Sequence, residues 1–372
     1  MAIWGSTISD AARMIAVMKA DDIISEERLR ELRQGVPRDR RWELTVSVKK
    51  KGGKPMKYGF TLPGRGPLAT PEKLGALARK GEALGYDAVF TGDHILIPRQ
   101  IASPYPYTEG GEFPGAPSGE SMEQLTLLAF LAGQTKTIRL VTSVIIVPHR
   151  NPLVAAKTLA TLDVLSQGRL VVGVGVGWMR EEFEALGLPP FEERGAVTDE
   201  YIRAFKELWT SDDPSFQGKY VSFDNISFLP KPVQKPHPPI WVGGESRPAL
   251  RRTAELADGW YPLGSNPTYP MGTPEQLKAG MERLASYARR FGRDPSEIET
   301  IYRTHQFELK KDAAANGRPP FVGNADQIAA DIRQYQQMGV GSMVLDFIRQ
   351  TEELDEVLER MEEFATQVWP KV

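Results

Sequence analysis

From Met56 onward, short apolar or β-branched runs alternate with longer amphipathic stretches, and the alternation repeats eight times. The strand candidates are Lys57–Leu62, Ala88–Thr91, Ile138–Ile146, Leu170–Val176, Ile240–Val242, Gly259–Tyr261, Glu299–Arg303 and Ser342–Phe347. Several are apolar without a break, as in Leu170-Val171-Val172-Gly173-Val174, which is how a strand covered on both faces reads. Helix signals fill the gaps. Thr70-Pro71-Glu72 supplies an N-cap, a proline in the first turn and an early carboxylate, Gly85 supplies a stop, and Asn151-Pro152 repeats the start signal before the helix that runs to Leu165. Strand–helix alternation predicts a parallel sheet. Eight units fit a closed (β/α)8 barrel, about 250 residues before insertions, better than an open doubly wound sheet.

The insertions fall after strands. Ile95–Gly119, rich in Pro, Gly and Tyr, follows strand 2 and is long enough to be a functional loop. Phe216–Phe228 reads as a small hairpin, and Ser265–Thr273 is a second Pro/Gly-rich excursion, after strand 6. Residues 1–55 differ from the rest. Ser9–Met18 and Ser25–Leu32 have helical patterning, but Gly35–Arg41 and Lys49–Pro55 are charged and broken, with little to bury. They read as an N-terminal helical extension to a barrel domain spanning residues 56–372. An alternative stays open: Gly52-Gly53 can be encoded by a ribosome-binding sequence just ahead of the Met56 codon, which would make Met56 the start.

Composition narrows the chemistry. Lys plus Arg number 46 against 48 Asp plus Glu, a net charge of −2 that provides no general attraction to nucleic acid or an anionic membrane. No apolar run approaches the roughly 20 residues of a membrane span and no signal peptide pattern opens the chain, so a cytoplasmic location is expected. The absence of cysteine removes disulfide scaffolds, thiol nucleophiles and cysteine-ligated metals. The 4 histidines, His94, His149, His237 and His305, lie on separate segments without HxH or HExxH spacing, and no GxSxG elbow occurs, so metallohydrolase and serine hydrolase readings lose support.

In this fold the loops after the strands build the active site. Strand 2 runs into Asp93-His94, placing an acid and an imidazole at the rim. His94 can act as a general acid or be a structural histidine, and Asp93 can orient it or cap the next turn. After strand 3, Thr142-Ser143-Val144 interrupts an apolar run and can bring backbone against a flat ligand. After strand 4, Gly173, Gly175 and Gly177 leave room near the backbone ahead of Trp178. The spacing is GxGxG, so a dinucleotide fingerprint is lacking. After strand 5, Gly243-Gly244-Glu245-Ser246 opens a helix, where amide N–H groups can cradle a phosphate.

These segments, above all Pro148-His149-Arg150-Asn151-Pro152, the stretch from Ala156 through Ser166-Gln167-Gly168-Arg169, Gly173 to Trp178, Trp241 to Ser246 and Ala254 to Trp260, resemble the bacterial luciferase-like superfamily of flavin- and deazaflavin-dependent oxidoreductases. The resemblance covers about Met56 to Phe347 and is closest to the subgroup that uses coenzyme F420 in place of FMN. It implies a barrel mouth holding the ring against Thr142, Ser143, Val144, Gly175, Gly177 and Trp178, with a non-prolyl cis peptide at Ser143–Val144. It further implies a phosphate at Gly243, Gly244 and Ser246, catalysis through His94 with Asp93, a small-molecule substrate and a homodimer. Some F420 dehydrogenases carry an acid directly after the strand-4 GxG; Trp178 following Gly177 here implies a roomier, more apolar substrate pocket. F420-dependent hydride transfer is the expectation, FMN-dependent monooxygenation the alternative, and a flavin-binding barrel without turnover a third reading.

Overall fold

A computed structural model describes residues 55–310, 317–349 and 351–372. The reading of an extension over residues 1–55, with its helices and the alternative start, therefore falls up to residue 54 outside the described residues. Eight parallel strands form the barrel: β1 (Lys57–Thr61), β2 (Ala88–Thr91), β3 (Arg139–Thr142), β4 (Leu170–Gly175), β5 (Ile240–Gly243), β6 (Gly259–Tyr261), β7 (Glu299–Arg303) and β8 (Val340–Leu345). Each pairs with its neighbours in chain order. β1 pairs with β8 through Lys57 opposite Ser342, which closes the ring. Between them lie α1 (Pro71–Leu84), α2 (Gln124–Gln134), α3 (Pro152–Leu165), the short α4 (Arg180–Ala185), α5 (Arg194–Thr210), α6 (Arg247–Leu256), α7 (Pro274–Arg290) and α8 (Ala325–Gln337); α9 (Leu354–Glu363) follows β8.

The uninterrupted apolar strands follow from burial on two sides. Within β2 to β5, Phe90, Val141, Val171 and Trp241 point into the barrel and form an inner cluster with Tyr261, Ile301 and Val344. Their neighbours Val89, Leu140, Leu170, Val172, Ile240 and Val242 join the outer cluster under the helices. This alternation fills the barrel interior with side chains and leaves the strand ends to carry function.

Local signals act as anticipated. Thr70 Oγ1 accepts from the Lys73 amide at 3.4 Å and Gly85 ends α1 at φ 86°, while Asn151 Oδ1 accepts from Leu153 and Val154 at the start of α3. The hairpin after α5 is a two-residue ladder, Phe216–Gln217 against Ser222–Phe223. Strand 3 differs from its reading as one run. The strand stops at Thr142 and resumes as Ile145–Ile146 against Val174–Gly175 of β4, and the Ser143–Val144 peptide between the two pieces is cis. The last strand begins two residues earlier than its apolar run, because Val340 pairs with Thr300 of β7 and frees Asp346-Phe347 to leave the barrel.

Candidate active site

The C-terminal ends of the strands open into a cavity of about 1380 Å³. A single organic ligand usually occupies a site of about 300–1,000 Å³, so the space suits a cofactor together with a substrate. Asp93, His94, Ser143, Val144, Gly175, Gly177, Trp178, Gly243, Gly244 and Ser246 line it. Thr142 is outside the lining: its side chain is turned to the neighbouring strand, where Oγ1 donates to the Gly173 carbonyl at 2.8 Å.

One wall is organised by a carboxylate that sequence reasoning did not single out. Glu182, in the first turn of α4, places Oε2 2.9 Å from His94 Nδ1, and its Oε1 accepts from the Ile95 amide at 2.8 Å and the Leu96 amide at 3.3 Å. Burial works to raise its pKa, but the hydrogen bond from His94, the nearby His149 and the Ile95 amide hold it below the ordinary carboxylate range. An ionised Glu182 can only accept, so His94 carries its proton on Nδ1 and Nε2 is the nitrogen available to a ligand. Its neighbour Glu181 accepts from Ala102 at 2.7 Å and Ser103 at 3.0 Å, so the two acids together pin the long loop after β2. Trp178, Tyr105 and Phe113 then pack around one another with ring centroids 5.1–5.3 Å apart, and Phe113 lies 5.0 Å from the His94 ring.

Asp93 neither orients His94 nor caps a turn. Its carboxylate takes both arms of Arg150, at 2.7 and 2.8 Å, and the Ile146 amide at 2.9 Å. Arg150 also donates to Glu123 at 2.6 Å. Burial opposes the charge on Arg150, yet the Asp93 and Glu123 carboxylates outweigh it and raise its pKa. Asp93 thus anchors the segment after the cis peptide, a structural duty, while orientation of His94 belongs to Glu182.

The strand-4 glycines also have a different role from the one read in the sequence. A Cβ on Gly175 would collide with Val144 Cγ2, and one on Gly243 would stand 2.9 Å from Val144 Cγ1. The space beside the backbone is filled by the side chain after the cis peptide rather than reserved for a ligand. Val144, held between β4 and β5, presents an apolar wall to the cavity. Ser143 Oγ lies 2.9 Å from the Tyr261 hydroxyl.

At the other end of the cavity, Gly243 leads into Gly244 at φ 107°, a conformation that favours glycine, and Ser246 caps α6 by accepting from Ala249 at 3.4 Å. In the first turn of α6 Pro248 has no N–H and the Ala249 amide is taken by Ser246, so the amides that can meet an anion are those of the turn from Gly244 to Arg247. Arg194 lines the same cavity; it donates to the Gly177 and Phe191 carbonyls, at 3.2 and 2.9 Å, and no carboxylate among the described residues lies within 4.0 Å of it. A first-turn helix end, a cation without a counterion and the apolar Val144 wall fit a phosphate-bearing flavin or deazaflavin. When bound, such a cofactor supplies hydride or oxygen chemistry that no side chain here can.

The remaining wall comes from β5 to β8 and was not legible as a site. Glu245 is buried; its oxygens accept from the Leu263 amide at 2.8 Å and Asn266 Nδ2 at 2.7 Å. Burial raises its pKa to about 7 against those bonds. Arg303, Asp346, Tyr105, Tyr107 and Tyr261 complete this side. Among the described residues no helix is long and apolar enough to cross a membrane.

Comparison with known proteins agrees with this architecture. An uncharacterized protein of Mycobacterium tuberculosis is 34% identical over 206 residues, 55% of this chain and 71% of that protein. The FMNH(2)-dependent dimethylsulfone monooxygenase of Pseudomonas putida is 38% identical over 168 residues, 45% of this chain and 44% of that protein. The coenzyme F420 dependent tetrahydromethanopterin reductase of Methanopyrus kandleri shares the fold with a TM-score of 0.65 at 17% identity, across 85% of this chain and 99% of that one. The family model for luciferase-like monooxygenases matches residues 56–318, the span that contains every barrel strand but the last, and the chain belongs to that family.

Proposed function

We propose that the protein is an oxidoreductase that transfers hydride between coenzyme F420 and a small organic substrate. The observation that carries this reading is His94 held by Glu182 on the cavity wall. Oxidation of an alcohol, or reduction of a carbonyl, moves a hydride at carbon and a proton at oxygen, and the proton needs a fixed acceptor or donor. His94 Nε2 serves that need, while Glu182 keeps the ring in one tautomer and stabilises the imidazolium formed when the proton arrives. In this reading Val144 and Ser143 back the deazaflavin ring, the amides at Gly244 to Arg247 receive its phosphate with Arg194 beside them, and the aromatic rings of the β2 loop exclude water. A bound deazaflavin supplies reversible hydride exchange.

FMN-dependent monooxygenation is the second reading, favoured by the identity to the dimethylsulfone monooxygenase. The two separate in one assay. Anaerobic incubation with oxidised F420 and a panel of secondary alcohols is expected to bleach the cofactor's visible absorbance, with no oxygen consumed when the assay is repeated in air. Turnover with reduced FMN and substrate-linked oxygen uptake, with none from F420, would overturn the proposal.

A further inference from the structure

Arg303 ends β7 and Asp346 follows β8, and both line the cavity. They face each other loosely: Arg303 Nη2 and Asp346 Oδ2 are 3.8 Å apart, well beyond the roughly 2.7–2.9 Å of a charge-assisted hydrogen bond. Asp346 Oδ1 is sealed from solvent without a partner among the described residues, so Oδ2 is the oxygen turned to Arg303 and to the cavity. A guanidinium has five N–H donors in a fixed fork. The fork therefore has donors to spare on one side of the gap, and Asp346 Oδ2, which stands across it at 3.8 Å, can still accept on the other. The hydroxyls of Tyr261, Tyr105 and Tyr107 surround Arg303 closely enough to act on its charge, and burial keeps Tyr107 a neutral donor.

A group that fits this gap must accept from Arg303 and donate to Asp346 at once. A hydroxyl does both. A carbonyl can only accept, and a carboxylate or phosphate would in addition bring its negative charge against Asp346, with the Glu245 carboxyl on the same wall. Tyr105, Phe113 and Trp178, packed on one another, give the same cavity an apolar face for the body of a ligand. We propose that Arg303 and Asp346 form a substrate-anchoring subsite, and that the substrate is an uncharged molecule with a cyclic or aromatic body and a hydroxyl group, separate from the oxygen that reacts at His94, that bridges the two side chains. The assignment of this end of the cavity to substrate rests on the proposed function, which places the cofactor phosphate at α6.

The test is direct binding to the full chain, with and without F420, by calorimetry or saturation-transfer NMR, using 1-phenylethanol, acetophenone and benzoate as probes. The alcohol is expected to bind about tenfold or more tightly than benzoate, with acetophenone between them, as one charge-assisted hydrogen bond and one avoided repulsion imply. Asp346→Asn, which keeps the shape of the side chain, should erase most of the preference against benzoate. Arg303→Met should weaken the alcohol and the ketone together. Benzoate binding as well as the alcohol, an unchanged preference in Asp346→Asn, or no binding of the alcohol would overturn the subsite. The two proposals fail separately: a hydroxyl preference that survives while F420 does not bind removes the cofactor reading alone, and F420 binding with benzoate preferred removes the subsite alone.

Discussion

The two walls of the cavity are built on opposite principles. On the β2 to β4 side the two carboxylates that hold His94 and Arg150 are saturated: Asp93 accepts from Arg150 and Ile146, and Glu182 from His94, Ile95 and Leu96. The exceptions there are Glu181, whose Oε2 has no hydrogen-bond partner, and His149, whose ring nitrogens have none although Glu182 Oε1 lies 3.8 Å from Nδ1; burial lowers the His149 pKa while Glu182 works to raise it. On the β5 to β8 side, Asp346 keeps an oxygen without a partner and Arg303 stands off from it. A saturated wall holds one geometry, as a proton-transfer group requires; an unsaturated wall has bonding capacity left for a ligand. The walls also respond to pH with opposite signs. Glu182 has a lowered pKa, so the unfolded chain binds its proton first as pH falls, and the stability it contributes is present above the ordinary carboxylate range and lost in acid. Glu245 has a raised one, so the folded chain retains a proton that the unfolded chain has released, and stability falls as pH climbs from about 4.5 to about 7.

Breaking the saturated wall should have the largest effects. Asp93→Ala leaves Arg150 buried with only Glu123 as counterion and should cost about 3 kcal/mol of unfolding free energy, read by denaturant titration. His94→Ala should lower turnover by about two orders of magnitude or more with a smaller change in cofactor affinity, because the proton is lost while the phosphate and ring contacts remain. If turnover stays near normal, His94 is structural and the proton comes from elsewhere. Gly243→Ala forces Val144 to move and should destabilise by roughly 1–3 kcal/mol, visible as a lower Tm together with weaker cofactor binding; an unchanged Tm would show that the wall yields. Sharpening the contrast needs the gentlest change. Glu245→Gln should flatten the decline in stability between about pH 4.5 and 7 while leaving the acid limb set by Glu182 in place, measured as Tm against pH.

Much of the frame was legible because it is local. Strand alternation and the caps at Thr70 and Asn151 are written in neighbouring residues, whereas the cis peptide at Ser143–Val144 came only from the family resemblance, because strand 3 reads as one run. The motif from Ser166 to Arg169 was legible too, though its role is structural: Arg169 donates to the Ser166, Ile138 and Ala132 carbonyls and ties three elements together. The site was legible only by its strand-end positions. His94 and Glu182 lie 88 residues apart and Asp93 and Arg150 57 apart, and no periodicity encodes such pairs. Glu181-Glu182 in the first turn of a helix reads as ordinary dipole compensation. The alternating glycines of strand 4 misled for a related reason, since what fills the space beside Gly175 is Val144 from another strand. Arg303 and Asp346 sit at the ends of strands whose patterns record burial, with no mark of the gap between their side chains.

The central claim, that this barrel mouth is shaped for a deazaflavin, is tested most directly by titrating the purified full chain with oxidised F420 and with FMN and comparing the two dissociation constants by fluorescence quenching. The account predicts tighter binding of F420, reduced in parallel with FMN binding when Gly243→Ala displaces Val144. FMN bound more tightly than F420, or retained through purification with substrate-linked oxygen uptake, would contradict it.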